Sequence, residues 1–162
     1  MRKTALSIAA LALVLSGYPA APKVSLTAET TALGIINQER AKMGCVPLVM
    51  QTQLMAAART HARNMAEKNF FSHVGLDGST FADRIRAQGF RRGYLAENIA
   101  AGQRTAAEVV AVWMRSKGHR ANILNCRYTV TGIAFEQQAN DQPISGHSGA
   151  FSTYWVNTFG GR

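Results

Sequence analysis

Two of the four histidines stand where the chain leaves a helical pattern, in Phe70-Phe71-Ser72-His73 and in Ser116-Lys117-Gly118-His119-Arg120. Between them lies Glu97, in Leu95-Ala96-Glu97-Asn98-Ile99-Ala100-Ala101-Gly102, a carboxylate among small apolar neighbours that needs a partner if it is buried. Two imidazoles and a carboxylate are the donor types of an open zinc site, His73, His119 and Glu97 as ligands and a water in the vacant position, so zinc or another divalent metal is the cofactor to expect. The same groups can instead hydrogen-bond to one another, locking their loops without metal or turnover. Both readings stay open. Neither an H-E-x-x-H nor a G-x-S-x-G pattern occurs to supply a base or a nucleophile, so no catalytic residue is assigned. His61 falls on the apolar stripe of a helix and reads as a core histidine, and His147, in Ser145-Gly146-His147-Ser148-Gly149, reads as solvated. Asn98, Arg120 and Asn122 are expected to satisfy backbone groups and tie turns to the fold.

These side chains need elements to hold them. Thr30 to Met43 reads as a helix, with Leu33, Ile36, Arg40 and Met43 at helical spacing and Gly44 as a stop. Met50 to Lys68 carries the strongest pattern, Leu54, Ala57, Ala58, His61 and Met65 falling on one face. A third helix starts near Thr80, where Thr80 and Asp83 have capping-box spacing, and stops before Gly89; a fourth runs Ala106 to Ser116 behind Thr105 and Glu108 and ends at Gly118. This leaves His73 and His119 outside regular elements. Val130 to Phe135 and Tyr154 to Phe159 are β-branched and aromatic and read as antiparallel strands, with Leu95 to Ala100 as a further one. Helices first and strands later predict an α+β domain, an antiparallel sheet covered by helices.

The chain has 162 residues, 47% hydrophobic and 17% charged, a composition that excludes disorder and gives one globular unit. Its formal charge is +9, but no basic run exceeds Arg91-Arg92 and no aromatic-interleaved pattern accompanies it, so nucleic acid is not expected as a partner. Arg2 and Lys3 precede the apolar run Thr4 to Leu15, too short to span a bilayer and of the form of an export signal. Residues 1–20 are read as signal peptide, 21–29 as a linker and 30–162 as the domain, with a periplasmic or extracellular destination. Leu15-Ser16-Gly17-Tyr18 has the shape of a lipoprotein box, yet Tyr18 stands where the lipid-bearing cysteine would be. No transmembrane segment is expected in the mature chain, and a monomer is. The two cysteines, Cys45 and Cys126, are expected to form a disulfide, since an exported chain with an even count and no Cys-x-x-Cys favours a bridge over a metal or redox site. Closing so long a loop stabilises the fold by about 4.5 kcal/mol in the chain-entropy model.

Phe71-Ser72-His73 with Asp77-Gly78, then Glu97-Asn98-Ile99-Ala100-x-Gly102, then Trp113-Met114-x-Ser116-x-Gly118-His119-Arg120-x-Asn122-Ile123-Leu124, then Gly132 and Tyr154-Trp155 together resemble the bacterial branch of the CAP superfamily. That superfamily, defined by its SCP domain, includes cysteine-rich secretory proteins, antigen 5 and plant pathogenesis-related proteins. The resemblance runs from Thr30 to Gly160. It implies an α-β-α sandwich with a central antiparallel sheet and a cleft lined by two histidines and acidic residues. His73, Glu97 and His119 match three cleft members; the fourth, a glutamate three residues after the tryptophan of the fourth helix, is Ser116 here. Glu108 does not replace it, because its spacing from Thr105 explains it as a capping partner. The function implied is that of an exported binding module for a divalent metal or for a small polar, lipid-like or cell-wall ligand. The alternatives are a weak metal-dependent hydrolase of peptide or cell-wall material, and a protein-interaction module whose loop Gln137–Gly149 contacts a partner while the cleft is vestigial.

Overall fold

The computed structural model describes residues 27–91, 93–147 and 149–161. The predicted signal peptide, with Tyr18, and most of the predicted linker lie outside the described residues. Helix α1, Ala28–Ala41, begins two residues earlier than the sequence pattern predicts, because Thr27 caps it by accepting from the Thr30 amide at 3.2 Å. The two-residue strand β1, Val49–Met50, leads into α2, Thr52–Glu67. The third and fourth helices, α3 (Phe81–Ala87) and α4 (Ala106–Arg115), open with the two capping boxes the spacing announced. Between them runs β2, Leu95–Ala101.

Two elements were not anticipated: the short β1, whose Met50 the sequence pattern assigns to the start of a helix, and a fifth helix. Gly118 does not end α4; it lies inside α5, Lys117–Ile123, so His119 is helical rather than in a loop. The break falls at Ser116, whose backbone is extended (φ −84°, ψ 123°) and whose hydroxyl caps the new helix. The chain closes with β3, Tyr128–Gln137, and β4, Thr153–Gly161, both longer than their apolar cores suggested.

The sheet order is β1-β3-β4-β2. β3, β4 and β2 are antiparallel, as expected, whereas short β1 pairs parallel to β3 at one edge. Strand alternation sends side chains to two cores. On one face Ile133, Trp155, Phe159, Ala96 and Ala100 meet α1, α4 and α5 through Ile36, Val109, Trp113 and Ile123. On the other, Ala134, Tyr154, Val156 and Ile99 meet α2 through Ala58, Ala62 and Met65, and a smaller cluster joins Leu54 to Ile85 of α3. Helices thus cover both faces of the sheet, which makes the α-β-α sandwich, and all nine residues of β4 are buried.

Helix α2 approaches the sheet closely because its buried face is largely alanine and because residue 132 of β3 is glycine. A methyl group at Gly132 would overlap the Leu54 carbonyl carbon and the Met55 nitrogen. The Cys45–Cys126 disulfide is formed, with 4.9 Å between Cα atoms, and ties the end of α1 to the turn after α5. Beside it the fully buried Arg40 donates to the carbonyls of Val46, Ile123, Asn125 and Tyr128.

Candidate functional site

Glu97 occupies the middle of β2, an edge strand, and points toward the α2 and α3 layer. Its side chain is only 1% exposed, so the carboxylate needs compensation, and both oxygens have it. Oε1 accepts from His73 Nδ1 at 2.9 Å, and Oε2 accepts from Arg84 Nη2 at 2.9 Å. Arg84 also donates from Nη2 to the His73 carbonyl and from Nη1 to the Ser79 carbonyl, each at 2.9 Å, which fastens α3 to the loop carrying His73. Because a carboxylate can only accept, His73 bears its proton on Nδ1 and leaves Nε2 as the unengaged ring nitrogen. The His73 side chain is 48% exposed.

His119 reaches the site from the opposite layer. Neighbouring residues of a strand face opposite ways, so where Glu97 meets α3, Asn98 meets α5. Asn98 Nδ2 donates to the His119 carbonyl at 3.0 Å, and Asn122 Nδ2 donates to Asn98 Oδ1 at 2.8 Å. Asn98 and Asn122 therefore serve as expected, satisfying backbone and fixing α5. The Ser116 hydroxyl accepts from the His119 amide at 3.5 Å and so caps α5. Burial holds the His119 imidazole below its ordinary pKa, and the nearby His73 lowers it further. Its Nδ1 is buried without a hydrogen-bond partner. His73, Glu97 and Arg84 thus lie on one side of the edge strand β2, and His119 and Ser116 on the other.

The predicted trio does not assemble as three ligands. Both oxygens of Glu97 are occupied, and among the described residues no group of three or more His, Cys, Asp or Glu side chains is placed to hold a metal ion. Glu97 stands behind His73, where a carboxylate fixes the orientation and tautomer of an imidazole. Glu108 lies away from the site, its Oε2 accepting from the amides of Arg104 and Thr105, as a capping partner does. His147 is exposed, with Phe151 at 4.9 Å between ring centroids.

Two contributors escaped the sequence pattern. Arg84 stands with Asp83 and Arg86 on a short charged helix, and only its position four residues past the Thr80 cap, turned toward the sheet, distinguishes it. His61 is fully buried, as the apolar stripe of α2 implied, yet its Nε2 lies 2.8 Å from the Ser72 carbonyl, one residue before His73. A hollow of about 90 Å³ lies beside Arg84, lined by His61, Asn64, Lys68, Leu76 and Asp77 among others. A wider groove of about 480 Å³, bordered by Gln103, Arg104, Glu108 and Arg115, contains none of the site residues.

Comparison with known proteins places this geometry in context. Residues 33–159 match the pattern of the family described as CAP, the Cysteine-rich secretory protein family. The uncharacterized protein YkwD of Bacillus subtilis (strain 168) is 35% identical over 120 residues, covering 74% of this chain and 47% of YkwD. The uncharacterized membrane protein YlbC of the same organism is 30% identical over 116 residues, covering 72% of this chain and 34% of YlbC. The chain therefore spans less than half the length of either relative. Among solved structures, an extracellular SCP-domain protein of Bacillus anthracis superposes with a TM-score of 0.69 at 23% identity, over 83% of this chain and 40% of that one. An outer surface protein of Borrelia burgdorferi gives 0.68 at 22% identity, over 82% and 90%. With the ordered motifs, the two-layered helical cover and the family match over most of its length, this chain belongs to the cysteine-rich secretory protein (CAP) family.

Proposed function

We propose that this protein is an exported CAP-domain binding module whose His73/Glu97/His119 site takes a divalent cation or a small polar ligand at the cell envelope or outside the cell. The observation that carries this reading is the chain of contacts from Arg84 to Glu97 to His73. The guanidinium compensates the buried carboxylate, and the carboxylate fixes the tautomer and direction of an imidazole that is half-exposed with Nε2 free. His119, kept neutral by burial, is in the form that binds metals or accepts hydrogen bonds. A bound cation would be held by the two imidazoles and would supply Lewis acidity there. Turnover has less support, because Glu97 is bound to Arg84 and withdrawn from proton transfer.

The export reading rests on the basic and apolar start of the chain and on similarity to proteins described as extracellular or outer-surface. Cell fractionation with N-terminal sequencing of the mature protein tests it, and an uncleaved protein confined to the cytoplasm would reject it. For the site, calorimetric titration of the purified protein with Zn²⁺ is expected to give saturable heat that His73→Ala and His119→Ala each abolish while both variants stay folded. Absence of heat with the unaltered protein would end the metal form of the proposal.

A further inference from the structure

On α2 the buried face is Leu54, Ala57, Ala58, Ala62, Met65 and Ala66, interrupted by one polar side chain, His61. That imidazole has no exposure, and its Nδ1 is buried without a partner, an arrangement an aliphatic side chain would avoid. Its one hydrogen bond runs from Nε2 to the Ser72 carbonyl at 2.8 Å. The carbonyl accepts, so the ring carries its proton on Nε2. The next carbonyl along the chain, that of His73, accepts from Arg84. Two successive carbonyls are thus held by side chains from two different helices, and the Cα of His73 lies between them. Fixing both peptide planes sets the direction of its Cα–Cβ bond, and with it the placement of Nδ1 on Glu97.

We infer that His61 is a positioning residue for the site: by holding the Ser72 carbonyl from α2, it fixes the peptide from which His73 extends toward Glu97. The inference rests on the reading of His73 as a binding group, but the geometry it concerns exists with or without a ligand. Among the described residues His61 makes its hydrogen bond to the Ser72 carbonyl and none to Glu97 or His119. Burial holds its pKa below the ordinary histidine value, with nearby Glu97 opposing and Arg84 and His73 reinforcing, which agrees with a neutral ring donating from Nε2.

The test compares His61→Gln, which keeps an N–H of similar reach, with His61→Met, of similar size and without it; both are good helix formers. In the unaltered protein, long-range ¹H–¹⁵N spectra are expected to show His61 protonated at Nε2 alone and His73 at Nδ1 alone. The opposite His61 tautomer would remove the Ser72 bond and overturn the inference, whatever the variants do. In His61→Met the single-tautomer pattern of His73 is expected to be lost and Zn²⁺ affinity to fall by about 10–100-fold, as when an outer-shell partner is removed, with His61→Gln restoring most of both. Equal behaviour of the two variants, or an unchanged His73 spectrum in a folded His61→Met protein, would overturn it. If the unaltered protein takes up no Zn²⁺, the metal form of the proposed function fails, while the His73 spectra still decide the role of His61.

Discussion

Arg84 and Glu97 form a buried ion pair 2.9 Å long, with side chains 9% and 1% exposed, and the carboxylate that Arg84 compensates is the one that orients His73. Structure and site therefore share one electrostatic element. Breaking a buried pair by neutralising one member leaves the other charge uncompensated, at a cost of about 3–5 kcal/mol. Glu97→Gln is expected to lose stability in that range in urea unfolding, and Glu97→Gln with Arg84→Met to recover part of it. A loss below about 1 kcal/mol for Glu97→Gln would contradict the pairing.

The pH dependence of stability follows from two imidazoles. His61 and His119 both have folded pKa values below the ordinary 6.5, each chiefly through burial. As the pH falls through about 6.5 the unfolded chain takes up protons that the folded chain refuses, so stability is complete above that value and declines as the pH falls toward the folded pKa values. Asp77 and Asp83, held below their usual range by hydrogen bonds from Ser79 and Thr80, act in a separate window below about pH 4. The melting temperature should drop by roughly a few degrees between about pH 7.5 and about pH 5. A flat profile over that interval would show that the imidazoles protonate freely in the folded state.

Arg40 and the Cys45–Cys126 bridge knit the same junction of α1, α5 and β3. Lysine cannot reproduce the fork that serves four carbonyls, so Arg40→Lys should cost about 3 kcal/mol or more. Reducing the disulfide should cost at most about 4.5 kcal/mol. Because both constrain the same segments, their combined loss in a double-mutant cycle with Cys45→Ser and Cys126→Ser should differ from the sum of the separate losses. Strict additivity would mean that the two act independently.

Gly132→Ala tests the contact of α2 with β3. The added methyl meets backbone atoms of Leu54 and Met55, which have no rotamer by which to yield, so a loss of about 3 kcal/mol or more is expected. A variant that unfolds at the same urea concentration as the unaltered protein would show that α2 can shift away from the sheet at little cost.

Much of the scaffold is legible in the amino-acid order because it is written in local interactions. The capping boxes Thr80/Asp83 and Thr105/Glu108 act over three residues, and the apolar stripe of α2 repeats over one or two turns. The cysteine count foretold the bridge. The types and contexts of His73, Glu97 and His119 singled them out, and of these the structure joins His73 to Glu97 by a hydrogen bond, while His119 is tied to β2 through its carbonyl and Asn98. Their relation to one another was not legible. Glu97 and Asn98 are adjacent in the chain, yet strand alternation sends one to α3 and the other to α5, so His119 approaches from the opposite layer. The charge that compensates Glu97 comes from Arg84, thirteen residues away, and the Ser72 carbonyl is held from His61, eleven away. Such contacts leave no periodic mark, because they depend on how α2 and α3 pack over the sheet. Composition and spacing supplied the chemical groups; packing decided that the carboxylate would orient one imidazole rather than join both in a ligand set, since burial required a guanidinium to compensate its charge.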